Sequence, residues 1–234
     1  MTTAGIVEAA RRAGRTLLSE VESKQLLEEA GIPVVPTRLA TSRAEAVRIA
    51  QEIGLPAVLK VVSPDITHKS DVGGVKVGLE TVGQVRSAYD SIMSSSRAAA
   101  PTASIEGVSV QSMAEPGVEV IVGATRDPQF GHVVMFGLGG VLVEMLRDVS
   151  MRLVPVEPRD ARAMIREIKG LPLLQGYRQY APCDLDSLEQ AILGLSRFLE
   201  EHPEVRELDL NPVLCYPQGL VAVDARVVLE ETSP

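Results

Sequence analysis

Aromatic side chains make up only 3% of the 234 residues and tryptophan is absent, which disfavours the ring platforms that stack single-stranded nucleic acid. Positive charge is in deficit too. The formal net charge is −8, whereas a nucleic-acid binder presents a basic face. The two cysteines, Cys183 and Cys215, lie far apart and match no metal-binding spacing, so a reducing, cytoplasmic setting is expected. No apolar run is long enough to span a bilayer: the longest, Val133 to Leu146, is interrupted by Gly137, Gly139, Gly140 and Glu144. Arg11, Arg12 and Arg15 are followed by Glu20 and Glu22 rather than by an apolar stretch, so no signal peptide is expected. What remains is 45% hydrophobic and 23% charged, an ordinary soluble composition with enough length for one large domain or two lobes.

Charge and glycine concentrate in one stretch, residues 57 to 79. It holds His68, one of three histidines, and Lys60, Lys69 and Lys76 of the five lysines. Lys60 falls in the alternating run Ala57 to Val62, which fixes its side chain on one face of a sheet. The loop 63–74 ends in Gly73-Gly74, where backbone amides can approach an anion without a Cβ in the way. His68 sits between Thr67 and Lys69, placed to bind or accept a phosphoryl group. Each feature also has a plain reading. A strand lysine marks an edge or a solvated face, a loop histidine is exposed, and a glycine pair is a turn. Their clustering is what favours phosphate chemistry.

Along the chain, residues 1 to 31 read as helical, with Ser19 a candidate N-cap and Gly31 and Pro33 as stops. The apolar run Ile32 to Val35 suggests a strand. Ser42 to Glu45 has capping-box spacing ahead of a helix carrying Ala46, Ile49, Ala50 and Ile53, and Thr81 to Gln84 repeats the pattern. Val75, Val77 and Leu79 alternate as a half-buried strand. Residues 94–104 read as a linker. Strands follow at 107–113, 117–124 and 132–136, then Gly137 to Gly140 as a glycine turn feeding a helix from Val141, whose N-terminus would attract an anion. A strand at 151–156 and helices at 158–169 and 184–201 come next. Leu208 to Val213 and Leu220 to Asp224 read as two short strands about a turn at 217–219. Paired as a hairpin, they direct Asn211 and Asp224 into one site, with Asp209 on the same face. An amide oxygen and a carboxylate suit Mg²⁺; the same residues also fit a turn start and a strand end.

Five stretches then carry a resemblance: residues 63–75, 117–123, 126–131, 135–144 and 209–213. Together they resemble the ATP-grasp subunit of nucleoside-diphosphate-forming acyl-CoA synthetases, more narrowly the β subunit of ADP-forming acetate–CoA ligases, relatives of succinyl-CoA synthetase. The likeness runs from about Ser19 to the end. It implies an α+β, ATP-grasp fold in which two α/β lobes clamp the nucleotide. The expected divisions are 1–32 as an N-terminal helix packing on the C-terminal lobe, 33–110 as the lid lobe with the phosphohistidine loop, and 111–234 as the C-terminal lobe with hinge and metal site. The implied reaction is ATP + carboxylic acid + CoA giving acyl-CoA + ADP + phosphate, through a phosphohistidine relay.

Residue by residue, the resemblance makes Lys60 a contact to ATP phosphates, Gln111 and Ala114 the hinge reading adenine, and Glu119 the acid at the nucleotide's sugar. Asn211 and Asp224 become Mg²⁺ ligands, and Asp209 the acid beside them that orients phosphohistidine. Gly139 and Gly140 start the helix that cradles phosphohistidine. His68 takes phosphate from the partner's phosphohistidine and passes it to ADP, as an imidazole can at neutral pH. Glu144 receives no firm role. The glycine-rich phosphate loop of succinyl-CoA synthetases is replaced here by residues 67–71. A CoA-binding glycine motif is missing, so a CoA-binding α subunit is expected, as an α2β2 heterotetramer. Neither nucleic acid nor membrane is an expected partner. Two rival readings are an ATP-binding regulatory module without turnover and an independent carboxylate–amine ligase.

Overall fold

The computed structural model describes residues 2–66, 68–140, 148–178 and 181–231. The chain forms two compact units: one of Met1–Leu18, Glu22–Val34 and Glu115–Pro234, the other of Ser19–Val21 and Val35–Ala114. The N-terminal stretch is two helices rather than one, α1 (Thr3–Arg12) and α2 (Glu20–Glu29). The break has a local cause. Gly14 adopts φ +66°, and the Arg15 amide reaches back past it to Ala10 O at 2.9 Å, closing α1 with a left-handed cap. The run Ile32 to Val35 is not a strand either. Ile32 and Val35 are buried, and Val34 makes only an isolated bridge to Ala222.

In the 35–114 unit, β1 (Thr37–Ala40), β2 (Ala57–Val62), β3 (Val75–Leu79) and β4 (Gly107–Ser112) form an antiparallel sheet in the order β1-β4-β2-β3. Helices α3 (Arg43–Ile53) and α4 (Val82–Ala99) pack on it. Thr81 and Gln84 make the reciprocal capping box the sequence announces. At α3 the second half of the box shifts by one residue: Ser42 caps Glu45 N, while the Glu45 carboxylate accepts from Thr41. The expected linker at 94–104 is helical as far as Ala99. Ser96 is fully buried one turn beyond Ile92, so the apolar face outweighs the serine-rich composition. Leu59, Val61, Val108 and Val110 fill the core beneath the helices. By alternation Lys60, Ser109 and Gln111 stand on the opposite sheet face.

In the other unit, β5 (Val118–Asp127), β6 (Gly131–Leu138), β7 (Val149–Leu153), β8 (Val205–Cys215), β9 (Leu220–Ala222) and β10 (Ala225–Leu229) build a six-stranded sheet in the order β10-β8-β5-β6-β7, with β9 also on β8. The strand β10 is not legible in the sequence reading, which stops at Asp224. Helices α5 (Pro158–Glu167), the short α6 (Leu171–Leu174) and α7 (Leu185–Glu201) join α1 and α2 in one core with Val120, Val122, Phe136, Leu208 and Leu210. The helix expected from Val141 and the residue Glu144 lie outside the described residues.

Phe136 is fully buried, so Phe136→Ala should cost about 3–5 kcal/mol in chemical denaturation. Val77, 65% exposed on β3, should tolerate Ser within about 0.5 kcal/mol. Equal losses at the two positions would refute this placement of the core.

Candidate functional site

The strand β8 sets the geometry of the Met1–Leu18/Glu115–Pro234 unit. Its first half pairs with β10 and its second half with β9, through Leu210↔Ala225 and Val213↔Ala222. Counting between those pairs sets Asn211 opposite Asp224, and Asp209 opposite Arg226. On the other edge Val213 pairs with Val120 and Leu210 with Val122, so two β8 residues, Asn211 and Pro212, oppose the single Ile121. That is a β-bulge, a device that re-aims side chains beside functional sites. Pro212 suits the bulge because it has no amide to donate. The inward set steps from Leu208 and Leu210 to Val213, all buried. Asp209 and Asn211 are left on the face away from the helices.

The same face carries the other expected residues of this unit. Val118, Val120 and Val122 point to the core, so Glu119, Ile121 and Gly123 do not. Gly123 pairs with Asp209, and an added Cβ would stand 3.6 Å from Asp209 Oδ1, so the missing side chain leaves the carboxylate room. The Gly139 amide donates to Glu119 O at 2.7 Å. Gly140 has φ +64°, and a Cβ there would lie 2.8 Å from Glu119 Oε2. Glu119, Gly139 and Gly140 are therefore one contiguous feature, reached from β5 and the end of β6.

Electrostatically the face is acidic. Asp209 is half-buried, and its carboxyl is held above the ordinary range, first by desolvation and then by the charge of Asp224, with Arg226 opposing. Arg226 also pairs with Glu207 at 3.2 Å. Asp224 Oδ1 accepts from the Ala225 amide at 2.9 Å, which fixes the carboxylate at the changeover between β9 and β10. Among the described residues no group of three or more His, Cys, Asp or Glu is arranged for a metal ion. The donor set at Asn211 and Asp224 nevertheless fits Mg²⁺, a hard cation that takes few protein oxygens and completes its shell with water and phosphate.

In the 35–114 unit the chemistry gathers on the sheet face opposite α3 and α4. Lys60 is 7% exposed on β2, and Gln111, across from Val58 on β4, is 1% exposed. Ala114 lies half-buried beyond the end of β4. Lys60 Nζ donates to Glu20 Oε1 at 2.7 Å, and Lys69 Nζ donates to Glu20 Oε2 at 2.9 Å. The sequence reading missed Glu20. A signal existed, since Glu20, Ser23, Lys24 and Leu27 recur at helical spacing and all four are buried.

The loop after β2 is anchored at both ends. Ile66 is buried in the core and the Asp65 carboxylate accepts from the Ser104 amide at 2.7 Å. At the far end Gly74 N donates to Lys69 O at 2.8 Å, and the Ser95 hydroxyl donates to Gly73 O at 3.3 Å. Gly74 has to be glycine, because a Cβ would come within 2.5 Å of Val61. Between these anchors His68 is exposed. The structure thus gathers Lys60, Gln111 and the anchored His68 loop in one unit. It gathers Glu119, Gly139, Gly140, Asp209, Asn211 and Asp224 in the other.

The ATP-grasp domain family matches residues 9–229. The β subunit of acetate–CoA ligase [ADP-forming] I from Pyrococcus furiosus is 45% identical over 224 residues, 96% of either chain. Acetyl-coenzyme A synthetase 1 of Ca. Korarchaeum cryptofilum, solved with coenzyme A, Ca-AMPCP and HgCl⁺, superposes with a TM-score of 0.95 at 48% identity, covering 98% of this chain and all of that one. The same enzyme, solved with coenzyme A and Mg-AMPPCP and its phosphohistidine segment pointing towards the nucleotide-binding site, gives 0.88 at 45% identity and covers 98% of this chain and 100% of that one.

The acidic face predicts a stability effect. A carboxyl raised in the folded state favours the protonated form, so the charged form costs stability above the ordinary carboxylate range and nothing below it. In metal-free protein Asp209→Asn should raise Tm at pH 7, and the gain should vanish as the pH falls below about 4. A lower Tm at pH 7 would contradict the electrostatic picture.

Proposed function

Because the chain belongs to the ATP-grasp domain family and, within it, to the β subunits of ADP-forming acetate–CoA ligases, we propose that it is the nucleotide-binding subunit of an acid–CoA ligase. The reaction is ATP + carboxylic acid + CoA giving acyl-CoA + ADP + phosphate. The observation that carries this reading is the sorting of residues by sheet face. Six separated segments supply Lys60, Gln111, Glu119, Gly139–Gly140, Asp209–Asn211 and Asp224, and each stands on, or next to, a strand whose alternate residues are locked into the core of its own unit.

Roles follow from the chemistry of each group. Lys60 supplies a fixed ammonium to phosphate oxygens, held in place by its strand and by burial. Gln111 and Ala114 read the base, and Glu119 accepts from the sugar hydroxyls. Asn211 and Asp224 would hold Mg²⁺, which when bound would supply charge neutralisation at the phosphate oxygens. His68, exposed on an anchored loop, accepts the phosphoryl group through a ring nitrogen and hands it to ADP in the direction of ATP synthesis. Gly139 and Gly140 leave the backbone open to phosphohistidine, with Asp209 orienting the ring. Coenzyme A and the acid fall to a CoA-binding α subunit, giving an α2β2 heterotetramer. The chain's own units are given by Met1–Leu18, Glu22–Val34 and Glu115–Pro234 against Ser19–Val21 and Val35–Ala114; we assign the lid to the latter. No described helix is long and apolar enough to cross a membrane.

Mixed with a CoA-binding partner chain, acetate, CoA and ATP, the protein should form acetyl-CoA and carry acid-labile phosphate on His68. His68→Ala should abolish both. Thioester formation at the full rate in that variant would remove the relay. Asn211→Ala with Asp224→Ala should weaken Mg–ATP binding about ten- to a hundredfold, the value of one or two charge-assisted contacts. Undiminished binding, with no labelled histidine from γ-labelled ATP, would instead mark a nucleotide-binding regulatory module.

A further inference from the structure

Both cysteines of the chain lie in the core of the Met1–Leu18/Glu115–Pro234 unit, 32 positions apart. Cys183 precedes Asp184, the N-cap of α7, and Cys215 is the last residue of β8. Two hydrogen bonds clamp these segments together: the Asp184 amide donates to Tyr216 O at 2.8 Å, and the Gly219 amide to Asp184 Oδ2 at 2.9 Å. The Cys183 thiol donates to Cys215 O at 3.9 Å, and the two sulfurs lie within hydrogen-bonding reach of each other. Both thiols are free. Cys183 is 8% exposed and Cys215 2%, so Cys183 is the one that a small solute can touch. A buried cysteine commonly serves as a small apolar side chain, but that role calls for no second thiol against it. The pairing also makes the two unequal. Against desolvation, it holds the Cys183 thiol below the ordinary range, while the same pairing and then burial push Cys215 well above it.

We propose that Cys183 and Cys215 are a modification site, a thiol pair that a peroxide converts to a reversible disulfide tying the start of α7 to the end of β8. In the first step the Cys183 thiolate attacks one peroxide oxygen. The O–O bond breaks, a sulfenic acid forms on Cys183, and the departing hydroxide takes up the proton that the thiol gave. In the second step the Cys215 sulfur attacks the sulfenic sulfur. The S–O bond breaks, and the Cys215 proton leaves with that oxygen as water. Two thiols are thereby oxidised and one peroxide is reduced to two waters. An external dithiol returns the electrons by exchange. The bridge closes residues 183–215 and so restricts the unfolded chain. It also fastens the strand on which the candidate site stands, because β8 carries Asp209 and Asn211 and Cys215 pairs with Val118, next to Glu119.

The test uses the full chain with hydrogen peroxide as probe and no nucleotide. Wild-type protein should lose both thiols together, shed two hydrogens from its intact mass, and recover both thiols with dithiothreitol. A digest of the oxidised chain should contain the 183–215 crosslink, and Tm should rise by roughly 5–10 °C. Cys215→Ala should stop at sulfenic acid on Cys183, captured by dimedone, and Cys183→Ala should leave Cys215 unmodified. Wild-type protein that keeps both thiols, or that accumulates sulfenic or sulfinic acid on Cys183 without the crosslink, overturns the proposal. A crosslink that lowers Tm overturns it too, since the native placement would then have to be distorted to close the bridge. Should either variant fail to fold, the wild-type mass, crosslink and Tm decide alone. None of these readouts depends on ligase activity, so failure here leaves the proposed function standing.

Discussion

A strand that buries every second side chain beneath helices must offer the intervening ones to the other face, and the chemistry of this protein depends on that constraint. In the Val35–Ala114 unit, Leu59, Val61, Val108 and Val110 lock the sheet onto α3 and α4. Lys60 and Gln111 have no alternative but the side opposite those two helices. In the other unit Val120, Val122, Leu208 and Leu210 play the locking part. Slipping either sheet by one residue would bury charge and expose valine, so the core that stabilises each unit also sets the aim of its functional groups. The bulge at Asn211-Pro212 departs from strict alternation, and such bulges re-aim the side chains beside them.

Much of this was legible beforehand, for identifiable reasons. Alternation in 57–62 and 75–79 has the period of a strand, and Thr81 with Gln84 is a capping device whose geometry follows from its spacing. Composition misled where it competed with burial. The serines of 94–96 suggest a loop, yet they continue a helix because Ser96 lies on its packed face. The apolar run ending at Asp224 reads as the final strand, but the chain passes through Asp224 from β9 to β10, keeping one register on β8 from Leu220 to Val228. That continuity is a long-range property and leaves no local trace in the sequence.

Glu20 and Arg226 show a second limit. The resemblance to acid–CoA ligases points to residues that meet ligands, and not to the charges that hold them. Glu20 meets Lys60 across forty positions, and Arg226 faces Asp209 from a strand that was not expected. Both are recognisable only once the sheets are assembled. Each modifies a neighbour: Glu20 gives two lysines a common anion, and Arg226 opposes the upward push that burial and Asp224 exert on Asp209.

Each unit keeps charge where a neutral side chain could pack. In one, Lys60 and Lys69 both donate to the Glu20 carboxylate; in the other, Asp209 lies beside Asp224 and faces an arginine that also pairs with Glu207. A neutral, well-packed substitute is commonly at least as stable as a buried charge pair, so stability by itself does not account for these groups. Burial raises the Asp209 carboxyl while Arg226 and Asp224 pull it in opposite directions, so its charged form costs stability that an asparagine would not. Perturbed charge of this kind gathers at functional sites more often than in structural cores.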